Sequence, residues 1–491
     1  MVIRDDHRKI IKRLIIRGNL HLITPTCLGS GDQDSLTDMA LLRDSITERA
    51  LLPGTSLGGA LRNYLQERLS GYGQEQKVKL LTQLFGGKRG DEDGEQSALV
   101  IHDSISHEPP KIEFRDGVKI DSRTGTAVDG AKYDLELVAA GTIFPLMIEL
   151  LVEDDANLAE LKQGLAISLQ GLENSEISLG IKKTRGFGQC KVTTWQVDEF
   201  NLTNLDHLKD WLNYNNEVSI IPDVNQPPDI ATQLDVSNLT DERSQFTLSA
   251  TFELQGGGLI RSGQDAMGIV PDVVHLTAKQ DNGEVKPIIS GTSWTGVLRH
   301  RAERILNTLE KGQNGTELLE CIFGQVPEKR IDTAQEKQAR ASRLVVHESP
   351  IHDSASMVQN RIAIDRFTGG AFDGALFDEQ PVFGGEVTLN LELRNPYDRD
   401  KDLQKQEIGL LLLLLKDLWT GDLPIGGTSS IGRGRLRGKD ATITQKGSEL
   451  KQWKIIQESG QLQVSNLQDP SQEQETTRQE LEDFVSALNA A

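Results

Sequence analysis

The sequence predicts an α+β chain made of two tandem copies of one domain, and three observations carry that prediction. The first is internal repetition. PGTSLGGALR (53–62) aligns with SGTSWTGVLR (290–299) at an offset of 237, sharing Gly54/Gly291, Thr55/Thr292, Ser56/Ser293, Gly59/Gly296, Leu61/Leu298 and Arg62/Arg299. LVIHDS (99–104) then meets LVVHES (344–349), IDSRTGTAVDGA (120–131) meets IDRFTGGAFDGA (364–375), and GIKKTRGFGQ (180–189) meets GGTSSIGRGR (426–435) at an offset of 246. The second observation is that each copy alternates strand-period and helix-period segments in the same order. The third is size: 491 residues, 37% hydrophobic with 46 glycines, suffice for two or three domains that bury their own cores.

Each unit opens on an alternating strand, Leu14, Ile16, Leu20 and Leu22 in the first and Phe246, Leu248, Ala250, Phe252 and Leu254 in the second. Ser56 then reads as the cap of a helix with Leu57, Ala60, Leu61, Tyr64 and Leu65 on one face; Ser293 does the same for Trp294, Val297, Leu298, Ala302 and Ile305. A third strand follows (Phe144 to Val152; Val387 to Leu393), then a second helix over about 157–171 and 403–419, a glycine loop and a last strand. Strands and helices interleaved this way, with an insertion between the first helix and the third strand, predict a ferredoxin-like sheet with its helices on one face. The domains run over 1–200 and 244–440, joined by a linker 201–243 that holds IPDVNQPPD. Residues 441–491 form a C-terminal extension, whose Gln/Glu/Ser-rich part from 457 reads as a flexible tail or loosely held helix.

The longest apolar run, Leu410 to Leu415, lies between Glu407 and Lys416-Asp417 and is far short of a membrane span. MVIRDDHRKIIKRL has no apolar signal core, so a cytoplasmic location is expected. Cys27, Cys190 and Cys321 are odd in number and widely spaced, which predicts packed, reduced thiols. The net charge of −20 speaks against nucleic acid, yet a phosphate responds only to charges within roughly 8 Å, and residues 1–17 carry a local +4.

The chemistry-bearing motifs are the two glycine loops. In the first, Gly186 and Gly188 stand beside Lys182, Lys183 and Arg185; in the second, Gly432 and Gly434 stand beside Arg433, Arg435 and Arg437. Glycine lets backbone N–H groups approach an anion, and the cations neutralise it. The plainer alternative is a tight turn with solvated charges, which repetition at matching positions disfavours. The helix starts at Gly54–Ser56 and Gly291–Ser293 are also anion-receptive, against ordinary capping with close packing through Gly59 and Gly296. Asp32, Asp34 and Asp38 mimic an EF-hand start, but Thr37 and Arg43 stand where Gly and Glu are required, so a calcium loop is excluded. Asp38 and Asp272 occupy equivalent places ahead of the helix motif, where an aspartate is more often a turn-former. His102 and His347 are a matched pair on alternating strands.

Together the glycine loops, PGTSLGGALR and above all IDRFTGGAFDGALF resemble the RAMP superfamily, specifically backbone subunits of type III CRISPR-Cas effector complexes in the fused double form of type III-D systems. The resemblance spans about 12–200 and 244–440. It implies RRM-like domains that stack along a CRISPR RNA and insert a thumb hairpin into the guide–target duplex, here around Asp121 to Tyr133 and Asp365 to Phe377. It further implies target-RNA cleavage at an aspartate ahead of the helix motif, which maps to Asp38 and Asp272, with other effector subunits as partners. Ser290 departs from the family's proline there.

RNA-contacting residues are then Gly54, Ser56, Arg62, Arg123, Lys182, Lys183, Arg185, Gly186 and Gly188, with Ser293, Arg299, Arg366, Gly432, Arg433, Gly434 and Arg435 in the second repeat. RNA brings its own nucleophile, the 2′-hydroxyl, so bending the strand into line supplies much of the rate. A free carboxylate, with an ordinary pKa of about 3.9, is a poor base at neutral pH, which favours Asp38 and Asp272 as ligands of Mg2+ or another divalent cation. Two alternatives stay open: a scaffold that does not cut, and a metal-free guide-processing ribonuclease using His102 or His347.

Overall fold

The computed structural model describes residues 9–30, 39–74, 78–87, 96–121, 123–154, 156–222, 228–262, 271–325, 339–395, 400–458 and 460–490. In the first repeat β1 (Ile10–Leu22) leads through α1 (Gly54–Ser70) to β2 (Leu99–Ile101). A hairpin of β3 (Ile112–Ile120) and β4 (Ala127–Val138) follows, then β5 (Ile143–Glu153), α2 (Leu158–Glu173) and β6 (Cys190–Asn201). The sheet order is β2-β5-β1-β6, antiparallel throughout, which is the ferredoxin-like arrangement with the hairpin as the expected insertion.

A connector carrying α3 (Leu205–Leu212) leads to the second repeat. There β7 (Ser244–Gln255), β8 (Val273–Val274), α4 (Gly291–Thr308), β9 (Leu344–Val346), the strands β10 (Gln359–Arg361) and β11 (Phe377–Gln380), β12 (Glu386–Asn395), α5 (Lys401–Trp419) and β13 (Arg435–Lys446) follow in order. Its central order β9-β12-β7-β13 repeats that of the first unit.

Alternation along the strands decides which face is buried. Leu14, Ile16, Leu20 and Leu22 of β1 meet Leu57, Leu61 and Leu65 of α1 and Leu165, Leu169 and Leu172 of α2 in one core. Phe246, Leu248, Ala250 and Phe252 of β7 meet Trp294, Leu298 and Ala302 of α4 and Leu411, Leu415 and Leu418 of α5 in the other. Each leucine so buried stabilises its unit by roughly 1.5–3 kcal/mol.

The opposite sheet face differs between the repeats. In the first, Ile15, Met147 and Phe200 are covered by Trp211, Tyr214 and Val218 of the connector, with the Arg13 guanidinium 4.9 Å above the Trp211 ring and Arg17 4.8 Å above Tyr214. The segment expected as a linker is therefore folded back on the sheet, and the face on which an RRM stacks bases is closed. In the second repeat the corresponding positions of β7 are Thr247, Ser249 and Thr251, beside Thr388 and Asn390 of β12. That face is polar at these positions, and its end at Gln245 and Glu392 is covered by Tyr72.

Several local expectations change. Both helices begin at the glycine, not after the serine. Ser56 lies exposed inside α1, whose first N–H (Gly54) donates instead to Asp103 Oδ1 at 2.7 Å. In α4 the cap is Ser290, accepting from Ser293 N–H at 3.2 Å, so the departure from proline is itself the capping residue. Gly59 and Gly296 do not serve close packing: a Cβ at either would meet nothing within 4 Å.

Beyond residue 440, which falls inside β13, the chain adds β14 (Leu450–Glu458) and β15 (Gln461–Asn466) to the second sheet and ends in α6 (Gln474–Ala490). The acidic tail is thus a packed helix, with Leu481 and Leu488 buried and the Trp453 ring edge-on to Phe484 at 6.1 Å. All three cysteines are free and buried, and burial pushes the Cys27 thiol up to about 11 and Cys190 to about 12. Among the described residues no helix is long and apolar enough to cross a membrane.

Candidate nucleic-acid interface

The glycine loops are one turn built twice. Lys182 and Thr428 both take the left-handed conformation (φ 55° and 58°), a 3-10 turn follows over Lys183–Arg185 and Ser429–Ile431, and Gly186 and Gly432 close it (φ 86° and 87°). Gly188 and Gly434 answer to packing: a Cβ would fall 1.8 Å from the Leu179 carbonyl oxygen in one and 2.0 Å from that of Ile425 in the other. Both glycines are buried, so neither presents its backbone to an anion.

What surrounds the two turns differs. The first is seated on the second repeat. A Cβ at Gly186 would lie 2.5 Å from the Glu348 nitrogen, and one at Gly291, the first residue of α4, would lie 2.2 Å from the Arg185 carbonyl oxygen. Arg115 of β3, only 5% exposed, pairs with Glu348 at 3.2 Å and with Glu113 at 3.1 Å. Burial works against its charge, but Glu348 and Glu113 outweigh that and hold the guanidinium protonated. A second seam joins Tyr72, whose hydroxyl bonds Gln245 and Glu392 at 3.1 Å each, and Asp241, which takes Arg243 at 2.7 Å and Lys446 at 2.5 Å. The second turn has no such partner among the described residues: Ile431 is 53% exposed and a Cβ at Gly432 would meet nothing.

The expected phosphate cations divide accordingly. Arg185 turns into the joint beside Arg299, and burial together with that neighbour lowers its pKa; Arg299 donates to the Gly324 carbonyl at 2.9 Å. Arg433 is 5% exposed and bound to Glu379 at 2.7 Å and Gln359 at 2.7 Å, so its guanidinium is committed inside the protein and not to phosphate. Lys182 lies 3.5 Å above the Tyr133 ring, and Lys183, Arg435 and Arg437 are exposed, whereas Arg62 and Ser293 are half-buried.

Both hairpin insertions end in the same turn. Asp121 Oδ1 accepts from the N–H groups of Arg123 and Thr124 at 2.9 and 2.8 Å, and Asp365 Oδ1 accepts from Phe367 and Thr368 at 2.7 Å each. The turns leave Arg123 and Arg366 exposed at the tips. The second insertion is strongly apolar at its surface, with Phe367 96% exposed and Ile364, Phe372 and Leu376 all above half.

Asp272 is exposed just ahead of β8, and its Oδ2 accepts from the Asp378 N–H of β11 at 2.9 Å. Asp32, Asp34 and Asp38 lie outside the described residues. No group of three metal-ligating side chains gathers among the described residues, and the donor set at Asp272 is one carboxylate. One carboxylate is too few ligands to hold a cation by itself, so any Mg2+ there depends on oxygens of a bound strand.

The histidines are placed by burial. His102 Nε2 contacts Glu149 Oε1 at 2.8 Å, with a third of its side chain exposed, while its counterpart His347 is half-buried and desolvation lowers its pKa. His275 is buried, with Nε2 3.0 Å from the Ile288 carbonyl and Nδ1 3.2 Å from the Ile260 N–H, and burial lowers its pKa too. Since the unfolded chain takes up protons from about pH 6.5 and these folded imidazoles only at lower pH, stability falls as pH drops below that value. The urea midpoint should therefore shift down between pH 7.5 and 5.5, and less so in His275→Gln, by up to about 1.4 kcal/mol for each pH unit. Equal shifts in the two proteins would remove His275 from this account.

Sequence reasoning missed Arg115, Glu348, Tyr72 and Glu379. One signal was present for the last: where the aligned glycine loops differ, Phe187 stands against Arg433, and a buried cation requires an acid. In comparison with known families, a model of the RAMP superfamily matches residues 19–191 and 256–437, one match on each repeat and well over half of the chain together. No curated protein matches the chain.

Proposed function

Because the chain belongs to the RAMP superfamily, whose members are RNA-binding subunits of CRISPR-Cas systems, we propose that it is a backbone subunit of a type III effector complex that holds CRISPR RNA and cuts target RNA. The observation that carries this reading is the joint. The first repeat's turn is seated on the start of α4 in the second, while the second repeat's equivalent turn is exposed. A head-to-tail contact of this kind leaves one turn free for a further unit, as a backbone that extends along a linear strand requires.

The cleavage part rests on Asp272 and its counterpart Asp38. A bent RNA strand that brings its 2′-hydroxyl into line with the scissile phosphate needs orientation and charge neutralisation from the protein. Asp272 is exposed beside the base of the hairpin insertion, where the resemblance puts the kink, and there it orients the strand's approach. When bound, Mg2+ would supply neutralisation of the developing negative charge. The histidine alternative has less support, since His347 is half-buried with its pKa lowered by desolvation and His102 already contacts Glu149.

RNA binding is tested by its salt dependence. Of the expected cations, Arg123, Lys183, Arg366, Arg435 and Arg437 are exposed, and Arg62 and Lys182 are half-buried. About six phosphate contacts on a single strand give a log-log slope of about −4, and Lys183→Ala should reduce it by less than about 1. A flat response of RNA affinity to salt rejects the reading.

A further inference from the structure

The two repeats hold the base of the hairpin insertion against the glycine loop by different physics. In the first, Met39 pairs in parallel with Leu135 of β4; in the second, Val273 pairs in parallel with Glu379 of β11, which makes Leu135 and Glu379 equivalent. Phe187 and Arg433 are equivalent in turn, each lying between the two glycines that close the loop. Leu135 and Phe187 sit in one small apolar cluster with Cys27 and Leu137. At the same place Glu379, 1% exposed, receives Arg433 at 2.7 Å and Arg361 at 2.9 Å, and Arg433 also reaches Gln359 at 2.7 Å and Thr428 Oγ1 at 3.2 Å.

Glu379 is placed to transmit this contact. Its strand neighbour Asp378 donates its N–H to Asp272, and Glu379 itself pairs with Val273, the residue after Asp272. The next residue, Gln380, accepts from the His275 N–H at 3.2 Å. One short strand therefore holds the Asp272 segment along one edge and the glycine loop through one side chain.

We propose that Arg433 and Glu379 are the positioning pair of the second repeat, coupling the glycine loop to the segment that carries Asp272, as Phe187 and Leu135 do by apolar contact in the first. The pair was reached from the glycine-loop alignment, yet its work is inside the protein. Its bearing on cleavage rests on the function proposed above; its bearing on the position of the Asp272 segment does not.

The test exchanges one repeat's solution for the other's. Glu379→Leu leaves the buried Arg433 without an acid and Arg433→Phe leaves Glu379 with Arg361 in place of its buried cation, whereas the double variant installs the pair that repeat one already packs; Arg361, a third exposed on its side chain, can then turn to water. In the full-length chain, amide exchange over 271–276 and 377–380 should rise in each single variant and return towards wild type in the double, with 39–42 unchanged throughout. Target-RNA cutting by repeat two should fall on the order of 10–100-fold in the single variants and recover in the double, while repeat one's product is unaffected.

Exchange that is unmoved in the single variants, or that rises and is not rescued in the double, overturns the proposal. If the wild-type chain cuts no RNA, the cleavage reading fails on its own and the exchange measurement still decides whether the pair positions the segment.

Discussion

Asp272→Ala is expected to leave guide and target RNA bound while the product assigned to the second repeat falls by roughly 10²-fold or more. The residue stands at the head of β8, exposed, with one carboxylate oxygen tied to the Asp378 N–H. Alanine removes both the charge and that tie, so loss of product alone does not say which mattered. Asp272→Asn separates them, because an amide oxygen still accepts from Asp378 but carries no charge. If charge orients RNA and a cation, both variants lose the product; if the tie alone matters, the asparagine variant keeps it. Labelled target RNA resolved on a gel with and without EDTA reads the outcome, and an unchanged ladder in both variants rejects Asp272. Asp38→Ala is the matching experiment on the first repeat and should remove a different band.

Gly291→Ala should have the largest effect on the fold. A Cβ there would lie 2.2 Å from the Arg185 carbonyl oxygen and 2.5 Å from that of Val346, and backbone atoms on both sides cannot swing away. One contact belongs to the first repeat's turn and the other to the second repeat's own strand, so the helix start must move and the joint must open. A cost of about 3 kcal/mol is expected, at the upper end for overpacking. Gly296→Ala, one turn on in the same helix, meets nothing within 4 Å and should stabilise by up to about 1 kcal/mol. Urea unfolding of the two variants gives the comparison. Equal stabilities would mean that the joint is not held at Gly291.

Internal ion pairs leave the formal charge of −20 as it is. Glu348 against Arg115, Asp241 against Arg243 and Lys446, and Glu379 against Arg433 take acid and base out of play together. These pairs cancel basic side chains as well, and so the surface left for phosphate is narrower than the motif arithmetic implied. Arg185 and Arg433 look alike in the sequence, each beside two glycines, yet one is pressed into the neighbouring repeat and the other holds a strand in its own.

The fold was legible because it depends on period and order, which are local. Alternation in Leu14 to Leu22 and Phe246 to Leu254 requires strands with one buried face, and the four recurring blocks require two units of like topology whatever their mutual placement. The hairpins were expected only from the family resemblance, and the structure shows their turns to be local, with Asp121 and Asp365 accepting from residues two and three positions on.

What only the tertiary structure decided is where each charge goes. A side chain's role turns on what lies across from it, and for Arg433 that is Glu379, 54 residues away; for Gly291 it is Arg185, in the other repeat. Neither distance leaves a periodic trace in the chain. Burial then multiplies the consequence, because a cation removed from water must find an acid and a glycine against a carbonyl has no room for a single carbon. The sequence by itself determined two ferredoxin-like units and a set of candidate RNA-contacting residues; contact between distant segments determined which of those candidates stay at the surface.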